Sequence, residues 1–216
     1  MSKLSCGYTR LLRKGHLTGL YDFQDRQDGI SKYFFTPFIS ESKVLDIGCG
    51  SRRDLRILQK LHFHITGFDP YEGFIEKIRQ DKQDLQDKVT VDTLPELKTV
   101  KDNEFDGVLC SAVLMHLPKE QLFDASFAIR RVLKENGRLL LSIPLEDTTI
   151  NKDSNRDSNG RLFNGIAPDE LQLIFERIGF RLISKWQNED GLNRAHRTWA
   201  TMLFQFKPLI NANIRE

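Results

Sequence analysis

An α/β domain with a doubly wound, mainly parallel seven-stranded sheet, closed by a C-terminal antiparallel hairpin, is the fold the sequence predicts. Three observations carry it. Short apolar runs of strand length alternate with amphipathic segments between residues 43 and 179, the pattern of parallel strands joined by crossover helices. A glycine-bent turn, Asp46-Ile-Gly48-Cys-Gly50, separates the first strand from the first helix. The last two apolar runs, 180–186 and 198–206, have no helical pattern between them, so they must pair antiparallel.

Each element has its own signal. Residues 43–47 read as the first strand, and 54–61 as a helix with Leu55, Leu58 and Leu61 along one side. Residues 63–68 form the second strand, and the helix over 71–81 buries Phe74, Ile75 and Ile78. Short strands follow at 88–91 and 105–110. Pro118 suits the first turn of a helix that turns Leu122, Ala125, Ile129 and Val132 inward and ends at Gly137. Residues 138–143 are the fifth strand. Pro168 opens the last helix, with Leu171, Ile174, Phe175 and Ile178 facing inward, and Gly179 stops it. Residues 1–40 contain Tyr8, Tyr21, Phe23, Tyr33, Phe34 and Phe35. They are expected to fold back as a helical cap or lid on a domain spanning 41–207.

Composition narrows the function classes. The chain has 216 residues, enough for one domain with a substantial core, and a net charge of +2 from 32 basic and 30 acidic side chains. No sequence-wide field draws it to nucleic acid or an anionic membrane, and no Arg/Lys stripe interleaved with aromatics suggests an RNA groove. The apolar runs are strand-length and the first residues lack a continuous apolar segment, so a cytoplasmic protein without membrane contact is expected. Cys6, Cys49 and Cys110 are an odd set without Cys-x-x-Cys spacing, which predicts free thiols and no metal site.

In an open α/β sheet, ligands bind beyond the carboxyl ends of the strands, and the first strand-to-helix turn is the usual place. Gly48 and Gly50 allow a tight bend there and a close approach of ligand to backbone. Asp69 lies 23 residues after Asp46, at the tip of the second strand, where a carboxylate accepts both hydroxyls of a ribose. These features together predict a nucleoside site. Dinucleotides favour Gly-x-Gly-x-x-Gly, whose third glycine would fall on Arg53.

Val44-Leu-Asp-Ile-Gly-Cys-Gly50 with Gly67-Phe-Asp-Pro70 resembles the first two motifs of the Rossmann-like (class I) S-adenosylmethionine-dependent methyltransferases. Phe105-Asp-Gly-Val-Leu-Cys110 with His116 resembles the family's fourth-strand segment, and Leu133-Lys-Glu-Asn-Gly-Arg-Leu139 its turn into strand five. The resemblance spans residues 40–206 and rests on motif order. It implies S-adenosylmethionine as cofactor and S-adenosylhomocysteine as product. Asp46, Gly48, Cys49, Gly50 and Arg52 would line the methionine part, Asp69 with Pro70 the ribose, and Asp92 with Thr93 the adenine. Ser111 and Ala112 would border the transferable methyl group. One position departs from the pattern: Arg52 stands where the family usually has a third glycine. A positive φ there would cost about 1–2 kcal/mol, and the guanidinium would either pair with the cofactor's carboxylate or obstruct the pocket.

A sulfonium methyl group is already activated, so the protein has only to align a nucleophile and exclude water. His116 is the candidate general base, with loop orientation or substrate contact as its other reading. Segments 144–167 and 187–197 are expected to leave the sheet at the cofactor end and wall the substrate. They hold Arg161, Phe163, Asn164, Asn188, Arg194, His196 and Arg197, a composition suited to a small polar or anionic acceptor; Tyr21 with Asp22 would reach the site from a lid. After the fourth strand there is no Asn-Pro-Pro-Tyr or Asp-Pro-Pro-Tyr, and Cys110 does not precede proline, so DNA amino- and cytosine-carbon methyltransferases are not resembled. RNA or protein substrates, and a regulatory nucleoside-binding protein without turnover, are the remaining alternatives.

Overall fold

The computed structural model describes residues 29–39, 41–81, 85–147, 150–190 and 197–208. Within these, seven strands form one sheet: β1 (Lys43–Ile47), β2 (His64–Asp69), β3 (Val89–Val91), β4 (Phe105–Ser111), β5 (Leu133–Asp147), β6 (Phe180–Glu189) and β7 (Arg197–Phe206). Their order is β3-β2-β1-β4-β5-β7-β6. The pairs from β3 to β5 are parallel, and β7 runs antiparallel to both β5 and β6. The expected doubly wound sheet with a closing hairpin is therefore present. Strand order reverses between β1 and β4, and the crevice at their carboxyl ends is where such sheets hold ligands.

Among the described residues four α-helices cover the sheet: α1 (Arg53–Lys60), α2 (Glu72–Gln80), α3 (Leu122–Val132) and α4 (Pro168–Arg177). Their apolar spacing decides their orientation. Leu55 and Leu58 of α1 are completely buried, in one core cluster with Phe74-neighbour Ile75 of α2, Val44, Leu109, Leu140 and Leu203. On the other face α3 and α4 bury Ala125, Ile129, Val132, Leu171 and Phe175 against Val108, Leu139, Leu141 and Phe204. Truncating one of these leucines to alanine removes about 2–5 kcal/mol. Pro168 occupies the first turn of α4, and the Ala167 amide donates to Glu170 Oε2 at 3.3 Å, closing a donor that helix geometry leaves open.

The end of α3 differs from expectation. The helix stops at Val132 rather than running to Gly137, because fully buried Leu133 already pairs with Phe105 of β4. The chain then turns through Asn136, at φ 63°. A Cβ on Gly137 would lie 2.8 Å from the Lys134 carbonyl oxygen, so the glycine serves this tight return and not a helix terminus.

Of the expected helical cap, only 29–39 are described, with a 3-10 turn at Ser31–Tyr33. Ile30, Phe34 and Phe38 pack into the same cluster as β1, β4, β5 and β7. The Phe38 ring lies so close over Gly107 that a Cβ there would be 2.4 Å from it. Tyr33 stacks on Trp186 with ring centroids 4.3 Å apart and donates its hydroxyl to Asn188 Oδ1 at 2.8 Å.

Candidate functional site

The turn after β1 is built from three left-handed residues, Gly48 (φ 74°), Gly50 (φ 53°) and Arg52 (φ 79°). The two glycines need their freedom for different reasons. A Cβ on Gly48 would sit 2.5 Å from Val113 Cγ2, whereas one on Gly50 would meet nothing within 4 Å. Gly48 lets the segment leaving β4 approach; the open space lies above Gly50. The Gly48 and Cys49 amides both donate to the Phe68 carbonyl, at 2.7 and 2.8 Å, tying the turn to the end of β2. The Cys49 side chain packs inward, its sulfur against Gly67, so toward a ligand Cys49 can offer only backbone.

Arg52 has the positive φ anticipated for it, at a strain of about 1–2 kcal/mol. Its guanidinium forms an ion pair with Asp81, the residue after α2.

Three carboxylates converge below this turn. Asp46 is 2% exposed, and among the described residues its Oδ2 has no hydrogen-bond partner. Burial raises its pKa well above the usual carboxylate range; Asp54 and Asp69 add to the rise while Arg53 opposes it. Asp69, also 2% exposed, accepts from the Gly50 amide at 3.0 Å and the Tyr71 amide at 2.8 Å. Burial nevertheless outweighs both bonds and lifts its pKa to about 6. Asp54, at the start of α1, holds Arg53 through bonds of 2.9 and 3.0 Å. A buried carboxylate oxygen left without a donor is costly, and an arriving ammonium or hydroxyl donor relieves it. The Ser51 hydroxyl is likewise buried and without a partner among the described residues. The vacant donor-seeking oxygen of Asp46, the sugar-competent carboxylate of Asp69 and the space above Gly50 fit a cationic amino acid joined to a nucleoside.

The remaining cofactor candidates divide. Ser111 ends β4 with its hydroxyl 3.4 Å from that of Ser142, and the next residue, Ala112, is left-handed at φ 58°. The Ala112 amide donates to the Ser142 carbonyl oxygen at 3.1 Å and hydroxyl at 3.2 Å, which holds this strained corner in place. Asp92 points its carboxylate back into its own loop. It accepts from the amides of Thr93, Lys98 and Thr99 and from the Thr99 hydroxyl at 2.6–3.2 Å. With four donors on two oxygens it organises the loop after β3 and has little capacity left for an adenine amine. The Thr93 hydroxyl donates to the Leu94 carbonyl. Pro70 is exposed beside Asp69.

His116 lies in a 3-10 turn after β4, with Nδ1 2.7 Å from the Leu162 carbonyl oxygen and its ring edge-on to Phe163 at 4.8 Å. Burial lowers its pKa to about 4; the Leu162 contact and Asp157 oppose this, while Arg161 and Arg197 push further down. The imidazole is thus neutral at pH 7 and a weak base, suited to fastening the loop.

The polar loop residues expected to meet substrate are largely spent on the protein itself. Asn164 donates to the carbonyls of Leu114 (2.7 Å) and Leu117 (3.0 Å) and accepts from the Ile166 amide at 3.0 Å, so both its donors are spent and its oxygen can accept one bond more. Arg161 is paired with buried Asp157 at 2.6 and 2.7 Å, so it is not the free cation an anionic acceptor would require. Arg197 is buried at the start of β7. Asn188 is fastened between Tyr33 and Thr201. Tyr21, Asp22, Arg194 and His196 lie outside the described residues, as does Cys6. Sequence reasoning missed Asp54 as third carboxylate, the left-handed Ala112 and the Ser142 contact. Asp54 sits eight residues after Asp46, a signal that only folding of the turn makes meaningful.

Comparison with known proteins gives the family and the fold. A family model described as a methyltransferase domain matches residues 21–185. An uncharacterized protein of Haemophilus influenzae is 28% identical over 160 residues, covering 70% of this chain and 63% of its own. A ubiquinone biosynthesis O-methyltransferase of Rickettsia typhi is 30% identical over 106 residues, covering 48% of this chain and 42% of its own. The chain thus spans less than two thirds of the length of these curated relatives. Among solved structures, a 1,6-didemethyltoxoflavin-N1-methyltransferase of Burkholderia thailandensis, with bound 1,6-didemethyltoxoflavin and S-adenosylhomocysteine, has the same fold. Its TM-score is 0.68 at 18% identity, over 93% of this chain and 89% of that one.

Proposed function

The chain belongs to the methyltransferase domain family, and from that premise we propose that it transfers the methyl group of S-adenosylmethionine to a small molecule, releasing S-adenosylhomocysteine. The observation that carries the cofactor assignment is the buried Oδ2 of Asp46, without a hydrogen-bond partner among the described residues, together with the open space at Gly50. In this reading Asp46 receives the ammonium of the methionine part and Asp69 the ribose hydroxyls, while Arg52 stays on Asp81 and clear of the pocket. Asp92 keeps its loop in shape beside the adenine. When bound, the cofactor supplies an electrophilic methyl group that needs no further activation.

The protein's task is then to orient the acceptor and exclude water. Ser111 and Ala112 border the methyl position at the end of β4. The loop over 150–166 closes on that edge through His116 to Leu162 and Asn164 to Leu114 and Leu117. This closure supports a small acceptor over a polymer. The acceptor's reacting atom is a polar nucleophile, in keeping with the polar acceptor expected from sequence, and it loses its own proton to solvent or product without His116 as base. Among the described residues no helix is long and apolar enough to cross a membrane, and Cys49 and Cys110 are free thiols; a cytoplasmic setting is part of this proposal.

The test is transfer of labelled methyl from S-adenosylmethionine into fractionated cell extract. Label is expected in the fraction below 1 kDa, a cut-off on the order of small-ligand size. Label in RNA or protein instead would overturn the small-molecule reading, and tight cofactor binding with no transfer would leave a regulatory binder.

A further inference from the structure

A second cavity lies beside the proposed methyl position, at the carboxyl end of β5. It measures about 170 Å³, and its walls include Met115, Ile143, Leu145, Ile150, Phe163 and Ile166. Its location is tied to the reaction site through one residue. Met115 and Phe163 form a small core cluster with Trp199, and Ala112 packs directly against that cluster. Trp199 is fixed by donating Nε1 to Asp190 Oδ1 at 2.8 Å. The left-handed corner bordering the methyl group is therefore also a wall neighbour of the cavity.

Among the described residues the lining carries no charged side chain. Asn164 reaches it, but both ends of its amide are turned to backbone groups of 114–117 and 166. Asn155 is exposed and belongs to the rim. Arg161, whose guanidinium lies over the Phe163 ring, is paired with Asp157. A charged or zwitterionic molecule would lose its hydration here without replacement. An apolar cavity of about 150 Å³ accommodates one benzene ring, so this space matches a single ring or a branched chain of similar bulk.

We propose that this cavity seats an uncharged, ring-sized apolar body of the methyl acceptor, leaving the acceptor's nucleophilic atom at Ala112. This rests on the methyltransferase reading and narrows its substrate class. It also replaces the anionic acceptor suggested by the loop composition. Specificity is set by Met115, Ile150 and Phe163, whose volumes define the space; the loop arginines do not set it.

The chain contains three methionines, and this allows a direct test. Protein labelled with ¹³C at the methionine methyl groups and saturated with S-adenosylhomocysteine is titrated with p-cresol, and separately with glycine as a zwitterionic control. Met115→Leu assigns the cavity resonance. Met202, fully buried in the main core, reports fold integrity. The expected result is a saturable shift of the Met115 methyl with p-cresol, none with glycine, and an unmoved Met202. Ile150→Trp, at a partly exposed wall position, should raise the apparent Kd for p-cresol at least tenfold with the Met202 signal unchanged; Leu145→Trp, from the exposed rim, serves if that variant does not fold. Intact S-adenosylhomocysteine binding with a Met115 signal that ignores p-cresol, or that shifts equally with glycine or in the filled variants, overturns the cavity assignment alone. Failure to bind S-adenosylhomocysteine removes the premise and the proposal with it.

Discussion

Asp69→Asn separates what the fold tolerates from what the cofactor requires. In the folded protein the carboxyl of Asp69 is lifted from 3.8 to about 6, chiefly by burial. At about 1.36 kcal/mol per unit, that rise of some two units amounts to roughly 3 kcal/mol. The native state holds the proton more tightly than the unfolded chain. Stability from this group is therefore full below pH 4 and is lost as pH rises through about 6. Asparagine is close in shape to the carboxyl but keeps an acceptor for only one of the two amides, because Gly50 donates to Oδ2 and Tyr71 to Oδ1; the other amide then faces an NH2 group, at a cost of about 1–3 kcal/mol. The variant should therefore lie about 1–3 kcal/mol below the parent near pH 4 and recover by up to about 3 kcal/mol relative to it by pH 8, so that the Tm difference, variant minus parent, rises by roughly 6–12 °C over that range for a chain of this size. Relief of Asp46, which feels the Asp69 charge, acts in the same direction. Binding should move oppositely. Losing charged hydrogen bonds to a ribose, at about 1.5–3 kcal/mol, weakens S-adenosylhomocysteine on the order of 10- to 150-fold. Denaturation at pH 4 to 8 and calorimetric titration with S-adenosylhomocysteine read both quantities. A variant whose stability relative to the parent does not rise between pH 4 and pH 8, or one binding as tightly as the parent, would refute the reasoning.

Gly48→Ala should cost at least about 2 kcal/mol and impair cofactor binding, because the new methyl group meets Val113 in a left-handed backbone; chemical denaturation measures it, and a neutral result would mean that the β4 exit moves freely. Arg52→Gly relieves about 1 kcal/mol of strain and forfeits the Asp81 ion pair, so stability should change little and cofactor affinity by less than about threefold; a tenfold tightening would show that the guanidinium blocks the pocket. His116→Ala should lower turnover through a loosened 150–166 loop and leave the shape of the pH–rate profile between pH 5 and 8 intact, since the parent imidazole titrates near 4. Loss of an inflection near 6.5 in that variant would instead establish it as the base.

Local pattern and chain order made most of the fold legible. The periodicity of Leu55 and Leu58, or of Ala125, Ile129 and Val132, reports which side of a helix is buried, because burial follows from spacing alone. The glycine turn and the acid at the tip of β2 were legible for the same reason: backbone geometry and strand polarity place them together whatever surrounds them. The fate of polar side chains was not. Asp92 looked free to meet an adenine until its own loop supplied four donors, and Asn164 and Arg161 looked available until Leu114, Leu117 and Asp157 consumed them. A polar group's availability depends on every donor and acceptor near it, and several of those are distant in sequence. The same holds for the end of α3, set by Leu133 pairing with Phe105, and for the cavity beside Ala112. Sequence determined the frame and its glycine-bent turn; tertiary packing alone decided which side chains remain free to bind and how much empty space lies next to them.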